Sequence, residues 1–368
     1  MILSLVFACL YTLREVTSLK EKYNIAIVGC GANAQIHLHV LKKLSKLKVK
    51  AVCDIDEKKV STTSKKWKID HYYRDFSKML SSEDISILSI LTPPSSHAFL
   101  AIEAMKHGIN VVIEKPLTMT TEEADLIINT LDGRRTKMTV VHDWLFSKAM
   151  AKSLSLIREE AIGEVLNVDV KVVHNVKDDL MASDPNHWCN KSFGGRFGEM
   201  LPHPVYVLQS ILGDDLQMRS IFVSKRGNTP WLLNDELHTI LESEKGFGSL
   251  YVSLNAPRRV YACNVYGTKE ILKIDFTRQT VLRLRRGGFG KFSIGKDCLS
   301  EACGLLFSTM ENALEFSFRR PREYGLSRIY TMFMDSIRKD IEPPVTPEMA
   351  YNTVRIVEEI CKAIQTKD

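Results

Sequence analysis

The segment "VGCGANA" has the spacing of a phosphate-binding loop, Gly29-x-Gly31-x-x-Ala34. It follows the apolar run "NIAIV" and precedes a segment with helical periodicity, so it is predicted to join a strand to a helix. The first glycine permits the tight turn, the second lets the backbone approach a pyrophosphate, and a small third residue lets helix and strand pack closely. The helix N-terminus offers N–H groups to phosphates. The pattern predicts a dinucleotide site.

Asp54 ends the next predicted strand, "VKAVCD", 20 residues after Ala34. A carboxylate at this place binds the ribose hydroxyls of a dinucleotide. It also disfavours a 2′-phosphate, and no arginine follows it in "CDIDEKK", although Lys58 and Lys59 do. NAD is therefore predicted as the cofactor in preference to NADP.

Lys115 stands in "VIEKPL", directly after an apolar run. Because a residue before proline favours extended geometry, Lys115 is predicted to continue the strand and project at its carboxyl end. Ligands bind at that edge of an open parallel sheet. The alternative is a lysine that only reaches solvent from a strand end.

From Tyr23 the sequence alternates between apolar runs of strand length and segments of helical periodicity. The predicted strands are "NIAIVG", "VKAVCD", "ISILSIL", "INVVIE" and "KMTVVHD", and Thr120-x-x-Glu123 is a capping box at one of the intervening helices. Strands separated by helices of this length predict right-handed crossovers and a parallel sheet. The fold class is therefore α/β, with a Rossmann-type domain over residues 23–142.

Residues 143–368 follow a different pattern. After the extended segment "EVLNVDVKVVHNV", the strand-like segments "ELHTILES", "GFGSLYVSLN", "YACNVYG", "EILKIDF" and "TVLRLRR" are joined by short turns. Successive strands without intervening helices predict an antiparallel sheet. "KAMAKSLSLIRE" and the closing "PEMAYNTVRIVEEICKAIQ" are predicted helices. This second domain is expected to be an α+β unit with an open, mainly antiparallel sheet.

The composition argues against several functional classes. The 368 residues carry 50 basic and 44 acidic side chains, a formal charge of +6 without a block of like charge, so nucleic acid is not an expected partner. The eight cysteines form no Cys-x-x-Cys pair, and the closest two, Cys298 and Cys303, have no histidine at metal-ligand spacing. No metal site and no disulfide frame are expected, and free thiols indicate a cytoplasmic protein.

Residues 1–22 are predicted to be a disordered N-terminal extension. "MILSLVFACL" is apolar for ten residues, whereas a membrane span needs roughly 20. The segment also lacks the basic region and the small-residue cleavage site of a signal peptide. Association with a membrane is therefore not expected.

Motifs from residue 23 to the end of the chain resemble those of the Gfo/Idh/MocA family of oxidoreductases. Besides the glycine loop they are "LTPPSSH", "HGINVVIEKPL", "GGRFGEMLPHPVYVLQSILG", "VYGTKEILKID" and "EPPVTPEMAYNTVRIVEEI". The resemblance implies a Rossmann domain, residues 23–142, and a substrate-binding and oligomerisation domain, residues 143–368. It also implies a homodimer or homotetramer, since members often pair through the exposed faces of their open sheets.

The resemblance assigns the residues of the site. The family's Glu-Lys-Pro lysine lies close to the nicotinamide and the reacting carbon, so Lys115 is expected to hold the substrate hydroxyl and ease its deprotonation. His203 is expected to be the base, because an imidazole exchanges protons near neutral pH. Glu199 stands where relatives usually have an aspartate and is expected to orient the imidazole or hold a sugar hydroxyl. The predicted cofactor-binding residues are Gly29, Gly31, Ala32, Asn33, Ala34, Asp54, Thr92, Pro93, His97, Glu114 and Lys115.

Two further residues are predicted at the substrate. Asp143 lies in "VVHDWLFSK", where relatives commonly have Asn and Arg, and Trp188 precedes the glycines of "FGGRFGE", where relatives carry a tryptophan. Core packing is an equal alternative for Trp188. Because Pro202 and Pro204 flank His203, a helix is expected to begin there. Lys115 and His203 are expected to converge on one alcohol carbon facing the nicotinamide.

The predicted function is an NAD-dependent oxidoreductase acting on a secondary hydroxyl of a sugar, a sugar nucleotide or a cyclitol. Two alternatives remain open. The first is an NAD-recycling glycosidase, which the resemblance also allows, acting by transient oxidation and elimination. The second is a non-catalytic NAD-binding regulator, which the presence of both Lys115 and His203 disfavours.

Overall fold

The computed structural model describes residues 22–366, apart from residues 132, 286, 289, 319 and 320, and describes only the backbone of residues 314–318 and 321. The predicted N-terminal extension therefore lies outside the described residues, except for Lys22. The chain divides into two compact units, one running to His142 and including Leu326–Val354, the other formed by Asp143–Gly325 and the residues from Arg355 onwards. The sequence analysis had assigned residues 326–354 to the second domain, and the structure assigns them to the first unit.

The first unit contains, within the described residues, a parallel sheet of six strands in the order β3-β2-β1-β4-β5-β6. The order reverses at β1, which pairs with both β2 and β4. In open α/β sheets such a reversal opens a crevice at the carboxyl ends of the strands, where ligands bind. The strands are β1 (Tyr23–Val28), β2 (Leu47–Cys53), β3 (His71–Tyr73), β4 (Ile87–Ile90), β5 (Asn110–Ile113) and β6 (Met138–Val140).

Two of the helices of this unit, α2 and α5, begin at residues whose side chains cap them. Asp56 accepts hydrogen bonds from the backbone N–H groups of Lys58 and Lys59 at the start of α2. Thr120 Oγ1 accepts from Glu123 N at 3.3 Å before α5, which is the contact that the predicted capping box requires. The helices between the strands are α1 (Ala32–Leu41), α2 (Glu57–Trp67), α3 (Phe76–Ser82), α4 (His97–Lys106) and α5 (Thr121–Leu131).

The second unit contains, among the described residues, a sheet of seven strands in the order β13-β12-β11-β7-β10-β9-β8. Only the β7–β10 pair in this sheet is parallel, and the remaining pairs are antiparallel. The strands are β7 (Val165–Asn175), β8 (Gln217–Ser224), β9 (Glu236–Ser243), β10 (Gly246–Ser253), β11 (Asn255–Gly267), β12 (Glu270–Asp275) and β13 (Thr280–Arg285). Its helices are α6 (Lys148–Arg158), α7 (Trp188–Lys191), α8 (Gly195–Met200), α9 (Pro202–Leu212) and α10 (Lys291–Phe318). Helices α11 (Pro321–Lys339) and α12 (Pro347–Gln365) each run across the division, with residues 326–339 and 347–354 in the first unit.

One face of the second sheet is packed and carries the core of the unit. Buried and more exposed residues alternate along β7, β9 and β10, as in a sheet with only one covered face. Helix α9 covers that face, since a Cβ placed on Gly248 would lie 3.0 Å from Leu208 Cδ2 and 3.1 Å from Leu212 Cδ1. The sheet therefore fixes the position of α9 and of the residues at its start.

The predicted fold class is confirmed: a Rossmann-type parallel sheet is followed by an α+β unit with a mainly antiparallel sheet. α12 begins and ends where the sequence predicts a helix. The long helices α10 and α11 were not predicted.

Candidate active site

The glycine turn lies at the carboxyl end of β1, where the strand order reverses. Gly29 has φ +94°, and a Cβ on it would stand 2.8 Å from the backbone of Leu91 and Thr92 after β4, so only glycine fits. Gly31 precedes α1 and has no side chain to cap it, and a Cβ there would meet no atom within 4 Å. The predicted residues Ala32, Asn33 and Ala34 form the first turn of α1. An open helix start of this kind fits the phosphates of a dinucleotide.

Asp54 lies directly after β2 and contacts the glycine turn. Its Oδ2 accepts a hydrogen bond from Cys30 N at 2.7 Å, and its Oδ1 accepts from Asp56 N at 2.9 Å. The carboxylate therefore stands beside the backbone that would face a pyrophosphate, as an acid that binds a ribose must. The half-buried position leaves the side chain partly accessible.

His97, the first residue of α4, links two loops at this edge of the sheet. The ring is fully buried, with Nε2 2.9 Å from Thr92 O and Nδ1 3.0 Å from Pro116 O. Burial lowers the pKa of His97, although the carbonyl contacts oppose the shift. Thr92 itself is half-buried and its Oγ1 accepts from Ser96 Oγ at 2.7 Å, whereas Pro93 is exposed. His97 therefore holds the Thr92 loop against the Glu-Lys-Pro segment.

Lys115 follows β5 by two residues and is half-buried. Glu114 before it is 3% exposed, and its Oε1 lies 2.9 Å from Nε2 of the fully buried His37 on α1. His37 Nδ1 lies 2.7 Å from Tyr330 Oη, which in turn lies 2.7 Å from Ser89 Oγ. Helix α1, helix α11 and strand β4 thus fix Glu114 through His37, Tyr330 and Ser89. They thereby fix the backbone that carries Lys115.

The direction of these hydrogen bonds follows from the groups involved. A carboxylate only accepts, so His37 donates from Nε2 to Glu114 and accepts at Nδ1 from the Tyr330 hydroxyl. Burial raises the pKa of Tyr330 far above its usual range, so the phenol keeps its proton. Both ring nitrogens of His37 are committed, which makes this histidine a support rather than a base.

His203 is the second residue of α9, which begins at Pro202 as predicted. Its Nδ1 lies 2.7 Å from Tyr206 Oη and 3.6 Å from Asp143 Oδ1. Tyr206 Oη also donates to Asp143 Oδ1 and accepts from Trp144 N, each at 3.2 Å. Because the single hydroxyl proton is directed at Asp143, His203 Nδ1 must be the donor to Tyr206. In neutral His203 this tautomer leaves the lone pair on Nε2.

Burial and Asp143 stabilise the arrangement around His203. Burial, and then the charge of Asp143, raises the pKa of Tyr206 well above its usual range, so the hydroxyl remains a donor. Asp143 is 5% exposed and its Oδ2 lies 3.2 Å from Arg322 Nε, so the carboxylate is held from both sides. Trp144 stacks on the His203 ring with centroids 4.7 Å apart and planes 16° apart. The imidazole is therefore fixed in position as well as in tautomer.

Glu199 lies on α8 and pairs with Arg196, one turn earlier in the same helix. Arg196 also binds Asp179 Oδ2 through Nε and Nη2, at 2.8 and 2.6 Å, and His174 Nε2 lies 3.0 Å from the same oxygen. Burial alone would raise the pKa of Asp179, but hydrogen bonds from His174 and the charge of Arg196 outweigh it and hold the pKa well below its usual range. Glu199 thus extends a buried ionic cluster.

Gly194, the residue before α8, has a structural explanation. Gly194 has φ +73°, and a Cβ on it would overlap Cys361 Sγ. The predicted substrate residue Trp188 begins the short helix α7, where it is half-buried and its ring centroid lies 5.5 Å from that of His187. The tryptophan that stacks on His203 is Trp144.

The structure adds residues that the sequence analysis did not assign to the site. Tyr206 stands three residues after His203 and Arg196 three residues before Glu199, so both face their partners along one helix side. That spacing was visible in the sequence and was a usable signal. The contact of Tyr330 with His37, 293 positions apart, left no such signal.

In the part of the chain that the structure describes, no group of three or more His, Cys, Asp or Glu side chains could hold a metal ion. No helix of residues 22–366, with the gaps given above, has the length and apolarity that a bilayer crossing needs.

The chain matches two models of one protein family. The first is described as "Oxidoreductase family, NAD-binding Rossmann fold" and matches residues 23–142. The second is described as "Oxidoreductase family, C-terminal alpha/beta domain" and matches residues 155–368. The cofactor prediction, NAD, is confirmed by the first match.

Individual relatives are distant. Oxidoreductase P35 of Formosa agariphila is 24% identical over 200 residues, 53% of this chain and 62% of that protein. Glycosyl hydrolase family 109 protein 2 of Bacteroides fragilis is 23% identical over 180 residues, 45% of this chain and 42% of that protein. The matched region thus spans less than two thirds of either relative. The WlbA dehydrogenase of Bordetella pertussis, solved with NADH and UDP-GlcNAcA, has the same fold, with a TM-score of 0.76, 15% identity, and coverage of 96% of this chain and 98% of that one.

Proposed function

The chain belongs to the Gfo/Idh/MocA oxidoreductase family, and from that membership we propose that it is an NAD-dependent dehydrogenase. Its substrate is a sugar, a sugar nucleotide or a cyclitol, which it oxidises at a secondary hydroxyl. The observation that carries the proposal is the hydrogen bonding of His203, whose Nδ1 is committed to Tyr206 so that the lone pair stands on Nε2. A base in that state suits the removal of a hydroxyl proton near neutral pH.

Each predicted residue has a role in this proposal. His203 takes the hydroxyl proton at Nε2, and Lys115 donates a hydrogen bond to the same substrate oxygen and stabilises its developing charge. NAD, when bound, supplies the hydride acceptor. Gly29, Gly31 and the start of α1, with Ala32, Asn33 and Ala34, bind its phosphates, and Asp54 binds the adenosine ribose.

The remaining predicted residues support these groups. Asp143 acts through Tyr206 and fixes the tautomer of His203, and Glu114 and His97 position the backbone around Lys115, Thr92 and Pro93. Glu199 holds Arg196 and presents its carboxylate edge to a substrate hydroxyl. Trp188 contributes an aromatic wall on the substrate side.

The test is a screen of sugars, sugar nucleotides and cyclitols for NADH formation, with NAD and NADP compared. On the best substrate, His203→Ala and Lys115→Ala should each lower kcat/KM by about 10²–10⁴-fold. His107→Ala and Lys106→Ala, at exposed positions at the end of α4, are the matched controls and should keep wild-type values. Wild-type turnover in both site variants would show that the assigned chemistry is wrong.

A second candidate function is an NAD-recycling glycosidase, favoured by the similarity to glycosyl hydrolase family 109 protein 2. In that case the protein would cleave a glycoside without net NADH formation. Release of a chromogenic leaving group with NAD recovered unchanged distinguishes this activity from the dehydrogenase.

Location and assembly belong to the same proposal. We place the protein in the cytoplasm, because the cysteines within the described residues are all free, which suits a reducing compartment. We also propose a homo-oligomer that pairs through the open sheet of the second unit, as the family resemblance implies.

A further inference from the structure

Helix α10 turns a polar side toward its own sheet. Ser293 Oγ accepts from Gly288 N at 2.8 Å, and Lys273 Nζ on β12 lies 3.2 Å from Glu301 Oε2. Near the other end of α10, Asn312 Nδ2 donates to Arg278 O at 3.1 Å and to Gln279 O at 2.7 Å. These residues recur at helical spacing, so one polar side of α10 carries its hydrogen bonds to β12, to the turn before β13 and to the segment that precedes the helix.

The opposite side of α10 is apolar and exposed to solvent. It carries Phe292, Leu299, Cys303, Leu306 and Met310, spaced by seven, four, three and four residues, which places them in one line along the helix. Phe292 is 97% exposed, Leu299 66%, Leu306 59% and Met310 60%. We call these five residues the α10 stripe. An amphipathic helix normally buries its apolar side, so this helix is oriented the reverse way.

The length and the exposed area of the stripe are those of a protein–protein interface. It runs over 18 residue steps, about 27 Å of helix, and exposed apolar surface of this continuity marks an interaction site on soluble proteins. The aromatic and aliphatic side chains on it, with Phe307 (65% exposed) beside it, expose an area on the order of the ~800 Å² that each partner buries in a standard interface.

We propose that the α10 stripe binds the α10 stripe of a second copy of this chain, with the two helices antiparallel. The charges beside the stripe favour this occupant. Lys296 and Glu311 are both exposed and lie on the same flank of the stripe, 15 residues apart. Their midpoint falls between Cys303 and Gly304, at the middle of the stripe. A two-fold axis there brings each Lys296 opposite the Glu311 of the other copy.

The antiparallel arrangement forms two Lys296–Glu311 ion pairs, one at each end of the helix pair. In a parallel pair the flank that carries Lys296 and Glu311 would face the opposite flank of the partner, so these two charges would not meet. The same two-fold axis brings the two Cys303 side chains together, because Cys303 lies half a residue from the midpoint. A two-fold pair of this kind uses one surface on both copies and closes without further growth. This contact does not depend on the proposed catalytic function.

The first experiment measures native mass by sedimentation for the full chain and two neighbouring variants. Leu306→Glu places a charge within the stripe and should halve the native mass or weaken association by about tenfold or more. Leu305→Glu is the matched control, because Leu305 is on the same helix, 39% exposed and about 100° from Leu306 around the axis. It should leave the mass unchanged. Unchanged thermal unfolding of both variants shows that they are folded.

A second experiment tests the antiparallel register. Lys296→Glu should weaken the association, and Lys296→Glu combined with Glu311→Lys should restore it. A short bismaleimide should crosslink two chains through Cys303, so Cys303→Ser should abolish the crosslink and Cys298→Ser should not. The proposal is overturned if the wild type is a monomer, if Leu306→Glu leaves the mass unchanged, or if the stripe binds lipid vesicles without pairing. It is also overturned if the crosslink runs through Cys298.

Discussion

Both units contain a buried chain of hydrogen bonds made from an imidazole, a phenol and a carboxylate, but the order of the groups differs. In the first unit His37 stands in the middle, between Tyr330 and Glu114. In the second unit Tyr206 stands in the middle and His203 at the end. The central imidazole, His37, enters its hydrogen-bonded series through both nitrogens, whereas His203 enters its own through Nδ1. Both residues are histidines, so their different proposed roles follow from their positions. The central His37 holds its neighbours in place, whereas His203, at one end, is proposed to exchange a proton.

Exposure follows the same division. His37 is fully buried, and the His203 side chain is 20% exposed. The first chain ends on Glu114, next to Lys115, so its effect reaches the site through the backbone. The second chain ends on the group that is proposed to exchange the proton. The predictions below test this division, from the largest expected effect to the smallest.

The histidine pair gives the largest contrast. His203→Asn should keep a donor near the Nδ1 position but lose the base, so kcat should fall about 10²–10⁴-fold with little change in stability. His37→Asn should leave Glu114 poorly paired in the interior and lower the free energy of unfolding by about 3 kcal/mol, with kcat within about tenfold of wild type. Steady-state kinetics and urea unfolding of both variants measure the two effects. The division fails if His37→Asn abolishes turnover in a folded protein and His203→Asn does not.

The two tyrosines occupy different places: Tyr206 lies between His203 and Asp143, and Tyr330 lies beside the central His37. Tyr206→Phe removes the acceptor that fixes the His203 tautomer, so kcat should fall about 10–100-fold and its pH profile should move, since outer partners of reactive groups have effects of this size. Tyr330→Phe should instead lower the free energy of unfolding by about 1–3 kcal/mol. An unchanged pH profile in Tyr206→Phe would contradict the positioning role.

Acid should affect the first unit before the second. Burial lowers the pKa of His142 in the first unit to about 3, so the unfolded chain binds a proton there more readily than the folded one. Stability that is present above the unfolded pKa, about 6.5, is then lost as the pH falls. About 2 kcal/mol should be lost between pH 7 and pH 5, and buried His97 adds a loss of the same sign.

Asp179 in the second unit has a lowered pKa, so its contribution is present above the unfolded value near 4 and is lost as the pH falls through the folded value. Hydrogen exchange at pH 5 should therefore show opening of the first unit while the second stays protected. His142→Gln should reduce that difference. Equal loss of protection in both units would show that His142 does not control it.

Asp54 should give the smallest effect on chemistry. Asp54→Asn should raise the KM for NAD by about tenfold and narrow the preference over NADP, with kcat nearly unchanged, because ribose binding is the same in ground and transition states. Cofactor titrations with both nucleotides measure this. A large fall in kcat would mean that the loop contact with Cys30 N, rather than ribose binding, is its main role.

Local patterns in the sequence were sufficient for several features. The glycine turn, the capping box before α5 and the start of α9 at Pro202 follow from residues within a few positions of one another, and Asp54 follows from its place 20 residues after Ala34 at the end of the next strand. The family motifs extended this to both domains. α10 was not predicted, and the sequence gives no sign that its apolar side is exposed while its polar side faces the sheet, because the periodicity of a helix is the same whichever side is packed.

The sequence by itself determined the fold class, the dinucleotide loop and the identity of Lys115 and His203 as candidates. It did not determine which histidine is terminal, that Tyr206 and Asp143 set its tautomer, or that residues 326–354 return to the first unit. The reason is the range of the interactions. Turns, caps and periodicity act over a few residues, whereas the partners of His37 lie 77 and 293 positions away, and only tertiary packing brings them together.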